Sequence, residues 1–238
     1  MLKEFVEKIV SLAAPTTYEV DGKTYASKPL TLIEEEPPAP GCLFVNGLDS
    51  VCKLIRNEAA KIGRQIFIQA EDYRTVKVFT TYGDKFDRYV LYTCNADTPR
   101  ISTGSYKDYE SAVVELRSLY IPNDGTEYLL KLLSSISSES KVTTTDNGVT
   151  QKVEAKSGIA LKEVVTVEPR VSLKPFRTFL EVPQPESEFL LRISQSGTIG
   201  LFEADGGVWK LEATRNIAAY FEEALKDMIE AGQVVVIR

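Results

Sequence analysis

Residues 46–92 constrain the fold more than any other stretch of this chain. Asn46 is placed as a helix N-cap, with Asp49 in the first turn beside the positive end of the helix dipole. Leu48, Val51, Cys52, Ile55, Ala59 and Ile62 recur at helical spacing, and Gly63 supplies a stop. Gln65-Ile66-Phe67-Ile68, Thr75–Thr80 and Arg88–Tyr92 then read as three short strands, the last two joined through Tyr82-Gly83-Asp84. A helix followed by an antiparallel meander predicts an α+β fold with helices packed on antiparallel sheets.

The flanking segments extend this pattern. Residues 1–13 predict a short amphipathic helix, with Leu2, Phe5, Val6, Ile9, Val10 and Leu12 on one face. Val20-Asp21-Gly22-Lys23 reads as the turn of a small hairpin. Glu34-Glu35-Glu36-Pro37-Pro38-Ala39-Pro40 suits neither a helix interior nor a central strand, and reads as an extended arm. Helices are expected over about 106–120 and from Asp124, the latter with Glu127 closing a capping box. Asp146-Asn147-Gly148 marks a hairpin across 141–153. Strands are expected at 163–168, 176–182, 188–194, 198–204 and 207–213, with Asp205-Gly206-Gly207 as a tight hairpin turn. A helix over about 215–231, capped by Gly232, and a strand at Val234–Ile237 close the chain. The expected organisation is an N-terminal helix and arm over 1–40, a helix/meander region over 41–140 and a β-rich region over 141–238. The last two form one composite domain.

Several function classes drop out. With no histidine, the chain cannot build Ser-His-Asp or Cys-His catalysis or a His-ligated metal. Cys42, Cys52 and Cys94 have no metal-ligand spacing and read as small apolar residues in a reducing compartment. No phosphate-cradling, dinucleotide-binding or nucleophile-elbow motif occurs, so neither a catalytic residue nor a cofactor or metal is assigned. The net charge of −6 argues against duplex DNA as a partner. No apolar run approaches the roughly 18 residues that span a bilayer, and Met1-Leu2-Lys3-Glu4 lacks a secretory pattern, so the expectation is a cytoplasmic protein.

Candidate chemistry is sparse. Glu203 and Asp205 flank one residue, a spacing open to Mg²⁺ or acid/base work, but the Gly-Gly that follows favours a turn role for the aspartate. Arg170, Lys174, Arg177 and Arg192 interleave with Phe176, Phe179 and Phe189 and are the candidate ligand-binding residues. If they converge they suit a nucleotide or other phosphate, or a single nucleic-acid strand stacked on the rings. Alternation in a strand sends Phe176 and Arg177 to opposite faces, which favours an ordinary half-buried sheet. Trp209 is read as a core residue on a strand.

In the C-terminal half, Ser157-Gly158 precedes Val164-Val165-Thr166-Val167-Glu168. Val171-Ser172-Leu173-Lys174-Pro175-Phe176, Phe179-Leu180-Glu181-Val182, Glu188–Ile193 and a closing Leu225-Lys226-Asp227-Met228-Ile229 follow in turn. This order resembles the YfdQ-like family of phage and prophage proteins, and the helices near 47–62 and 107–119 fall in a similar order. The likeness is one of pattern, and it departs at Glu34–Pro40 and Asp205-Gly206-Gly207. It implies a phage-encoded protein acting in the cytoplasm of a bacterial host, and it carries over no active-site residue.

The reading that follows is a non-enzymatic phage accessory protein that self-assembles, through its helix, arm and hairpin, into a symmetric homo-oligomer or closed shell. The alternatives are a counter-defence protein that sequesters a nucleotide or phosphate ligand, and a single-strand nucleic-acid binder in phage DNA metabolism.

Overall fold

A computed structural model describes residues 2–13, 15–27, 41–137, 141–146, 151–157, 160–194 and 196–238. The Glu34–Pro40 arm and the turn residues Asn147 and Gly148 lie outside them. The chain divides into two compact units, Met1–Ala39 and Pro40–Arg238.

In the first unit, α1 spans Leu2–Ala13, and β1 (Thr17–Val20) pairs antiparallel with β2 (Lys23–Ala26). The hairpin turns on Asp21 (φ 52°) and Gly22 (φ 72°). Two successive left-handed residues form the turn that matches strand twist, which is why Asp-Gly stands there.

The second unit starts with β3 (Leu43–Val45), α2 (Leu48–Ile62), β4 (Ile66–Ala70), β5 (Thr75–Thr80) and β6 (Val90–Asn95). It continues with β7 (Tyr106–Lys107), α3 (Tyr109–Leu119), β8 (Tyr120–Ile121) and α4 (Asp124–Ser137). Next come β9 (Lys141–Asp146), β10 (Gln151–Ser157), β11 (Ala160–Val167), β12 (Arg170–Pro175), β13 (Ser187–Ile193) and β14 (Ile199–Glu203). Helices α5 (Trp209–Ala224) and α6 (Lys226–Glu230) and strand β15 (Val234–Ile237) close it. This is an α+β fold.

The first sheet has the order β15-β4-β5-β6-β3. Its centre is the expected antiparallel meander, but β15 runs parallel to β4 and β3 parallel to β6. The sheet is therefore mixed: α2 carries the chain from the β3 edge to the far side, and α5 and α6 bring it back to β15. Leu48, Val51 and Ile55 of α2 and Ile217 and Phe221 of α5 pack on Ile66, Ile68, Val76 and Val78. The second sheet, β7-β14-β13-β12-β8, is antiparallel throughout. Its inner face joins Leu116, Leu129 and Leu133 of α3 and α4 to Leu173, Phe189 and Leu191. A third sheet, β11-β10-β9, contains the expected hairpin, with Asp146 opposite Gln151.

Several local expectations are corrected. Asn46 does not cap α2. Gly47 holds the cap position without a side-chain bond, and the Leu48 amide donates instead to Glu181 Oε1 at 2.8 Å. The capping box of α4 lies one residue earlier than expected: Thr126 N donates to Asn123 Oδ1 at 2.9 Å, and Asn123 N donates to Thr126 Oγ1 at 2.8 Å. Helix α3 begins at Tyr109 because Asp108 caps it, accepting from Ser111 N at 2.9 Å.

The segment 176–182 is not a strand. Gln184, itself buried, takes the place of a neighbouring strand. Its Oε1 accepts from the amides of Arg177 (2.9 Å) and Thr178 (3.1 Å), and its Nε2 donates to Phe179 O (2.9 Å). The segment thereby crosses between the two cores and buries Phe179 and Val182 in the first. Residues 207–213 are not a strand either. Gly206 and Gly207 (φ 65° and 83°) turn the chain from β14 into α5, so Trp209 sits in the first turn of a helix. The expected final helix starts at Trp209 and breaks at Leu225, and Gly232 (φ 70°) ends α6 as expected.

Candidate functional site

The C-terminal half of α2 turns Glu58, Lys61 and Ile62 to one side, since positions separated by three and four share a helix face. Strand β6 runs beneath it with Leu91 and Tyr92, and β3 contributes Leu43 at the edge. Arg64, just past the Gly63 cap, and Thr80 and Tyr89, at the ends of β5 and β6, complete a cleft of about 590 Å³. Its floor is apolar and aromatic and its rim is charged.

Most polar groups in the cleft are held by a neighbour, and Lys61 is the exception. The buried Tyr92 hydroxyl donates to Glu58 Oε2. Burial, and then the Glu58 carboxylate, push the Tyr92 pKa far up, so the phenol keeps its proton. Arg64 Nη1 meets Asp87 Oδ2 at 2.8 Å, and its guanidinium lies 5.2 Å from the Tyr89 ring centre. That hydrogen bond raises the Arg64 pKa and holds Asp87 below the usual carboxylate range. Thr80 and Tyr89 bond to each other twice: Tyr89 N donates to Thr80 Oγ1 (3.2 Å) and Thr80 N to Tyr89 O (3.0 Å). Lys61 is exposed on the rim, with no ion pair or hydrogen bond among the described residues. The exposed Cys42 stands beside the cleft, its Sγ 3.4 Å from Thr93 Oγ1.

The four residues expected to bind a ligand do not converge. The registers put Arg170, Lys174 and Arg192 on the outer face of the second sheet. Arg170 pairs with Glu188 at 2.9 Å and Lys174 with Glu186 at 3.5 Å. Arg177 lies on the opposite side and is 8% exposed. It is bound by Glu203 and Ser187 and stacked on Trp209. Glu203 is thus spent on Arg177, and Asp205 Oδ1 accepts from Gly207 N at 3.0 Å in the expected turn role. Among the described residues no group of three or more Cys, Asp or Glu is placed to hold a metal ion. None of the described helices is long and apolar enough to cross a membrane.

Sequence reasoning missed the cleft. Helical spacing places Glu58, Lys61 and Ile62 on one side of α2, a grouping the apolar stripe alone did not single out, and nothing local brings Arg64, Tyr89 and Tyr92 against it. No protein-family model, curated protein or solved structure matches this chain.

Proposed function

We propose that this chain acts by binding rather than by catalysis, and that the cleft between α2 and β6 takes a flat, ring-bearing anion of the nucleotide class. One observation carries the reading: an unengaged Lys61 ammonium stands on the rim of an apolar, aromatic cleft of about 590 Å³. Small-molecule sites are concave, mostly apolar and oriented by a few polar groups, with volumes of about 300–1,000 Å³. The half-buried Tyr89 offers ring surface, with the buried Tyr92 beneath it closing the apolar floor. Lys61 attracts the anionic end, and Glu58 Oε1, which has no partner among the described residues, accepts from a ring N–H. In a phage-encoded protein, the setting that the resemblance implies, such binding withdraws a host nucleotide from use.

Calorimetric titration with nucleoside mono- and diphosphates and with phenyl phosphate tests this. The expected result is saturable heat with one of them, weakened about tenfold by Lys61→Glu. Absence of heat and of any rise in melting temperature across the panel at millimolar concentration overturns it.

A second reading, self-assembly, is favoured by α1, whose Leu2, Phe5, Val6, Ile9 and Val10 are between 50% and 82% exposed. Deleting residues 1–15 then lowers the number of subunits per particle measured by light scattering, and an unchanged subunit number removes the reading.

A further inference from the structure

The loop between β5 and β6 presents a side chain that folding does not account for. Gly83 N donates to Asp87 O (2.9 Å) and Phe86 N to Gly83 O (3.0 Å), closing a tight turn. Phe86 sits in the left-handed region at φ 59° and is 85% exposed. Glycine or asparagine is favoured at such a position, and a bulky side chain there is both strained and solvated. The loop is nevertheless firmly built. Asp87 is held by Arg64, and Arg88 lies 4.0 Å from the Tyr82 ring centre and 4.8 Å from that of Phe79. A Cβ at Gly83 would run into Asp87 and Arg64. Phe86 is therefore held out rather than left loose.

Its neighbours say what it meets. Asp84, Lys85, Asp87 and Arg88 alternate in sign and sum to zero. A nucleic acid or an anionic membrane would call for a net positive rim, whereas a protein surface is met by mixed charge. We infer that Phe86 enters the cleft of a second copy of this chain, in a two-fold dimer where each copy fills the other's cavity. The loop is itself one wall of that cleft, since it runs from Thr80 to Tyr89, and both line it. A two-fold axis near the Arg64–Asp87 pair sets each loop over the opposite cleft, and the same patch serves both sides. Leu43, Ile62 and Leu91 give the ring an apolar seat. Asp84, two residues from Phe86 and without an ion pair among the described residues, complements the unengaged Lys61. The inference rests on the cleft of the proposed function but not on its ligand; ligand and second copy compete for one cavity.

The test is the mass of the full chain by light scattering over a dilution series. Phe86→Gly suits the left-handed backbone, so the fold persists. The mass is expected to halve, with association weakened at least about 30-fold. Asp84→Lys and Lys61→Asp are each expected to weaken association about five-fold, and the double variant to recover it. Equal masses for the wild type and Phe86→Gly at every dilution overturn the inference, as does a double variant no better than the singles. Calorimetry with nucleotides on Phe86→Gly separates the two readings. Heat without any mass change sinks the dimer and keeps the ligand; a mass change without heat does the reverse.

Discussion

The guanidinium of Arg177 lies 3.7 Å from the centre of the Trp209 ring. Its Nη1 meets Glu203 Oε1 at 3.1 Å and its Nη2 meets the Ser187 hydroxyl. One buried cation thus ties the crossover segment to β13, β14 and the start of α5. Burial lowers the Arg177 pKa and Glu203 pulls it back up.

Replacing Arg177 breaks that junction. Arg177→Leu leaves Glu203 and Ser187 without their donor and is expected to cost about 2–4 kcal/mol. Arg177→Lys keeps the charge but loses the planar fork and its stacking, and recovers less than half of that cost. The urea midpoint checks both. A lysine variant as stable as the wild type refutes the claim that geometry matters here beyond charge.

Gly125 sits in the first turn of α4, where alanine would ordinarily favour the helix by about 1 kcal/mol. Here a Cβ would run into the Ser172 carbonyl of β12, so Gly125→Ala is expected to destabilise by about 2–3 kcal/mol. A rise in melting temperature would mean that α4 does not approach β12 so closely.

The three thiols should separate cleanly. Cys42 is exposed, while Cys52 and Cys94 are buried. Burial, and then the Asp49 charge, push Cys52 up to about 11. Burial and then Glu181 push Cys94 up to about 12. Because the thiolate is the reactive form, an aromatic disulfide reagent at pH 8 should modify one thiol in the native protein and three in denaturant. Fast reaction of a second native thiol would contradict the packing of α2 on the sheet.

Acid should loosen the fold late. Asp87 and Asp227 are held below the usual carboxylate range by Arg64 and Arg56, and Asp108 by the Ser111 amide. A folded-state pKa below the unfolded value of about 3.9 gives stability that is fully present above that pH. It is lost as pH falls through the lower folded value. The melting temperature should therefore be flat from about pH 5 to 8 and drop below about pH 4. With no histidine, no step is expected between pH 6 and 7. Asp227→Asn should lower the plateau and shallow the acid drop; an unchanged acid drop would show that the Arg56 pair contributes nothing.

Much of the architecture was legible because it rests on short-range rules. The α2 stripe, its Gly63 stop and the alternation in β5 and β13 follow from periodicity. The Asp21-Gly22 turn follows from the cost of left-handed backbone. Where two local signals competed, reading went wrong. Trp209, Ala213, Ile217 and Phe221 form a four-residue helical stripe, but Gly206-Gly207 before it resembled a hairpin. The Arg and Phe residues of 170–192 looked like one cluster only because they are close along the chain.

The sequence alone determined an α+β fold, its helical faces and the absence of imidazole chemistry, all of which are set within a few residues or by composition. Tertiary structure decided the rest. Glu181 caps a helix whose first residue lies 133 positions away, Gln184 replaces a strand, and Lys61, Tyr89 and Tyr92 meet around one cleft. Those partnerships depend on which distant segments pack together. Periodicity and turn chemistry act over a few residues and carry no record of that choice.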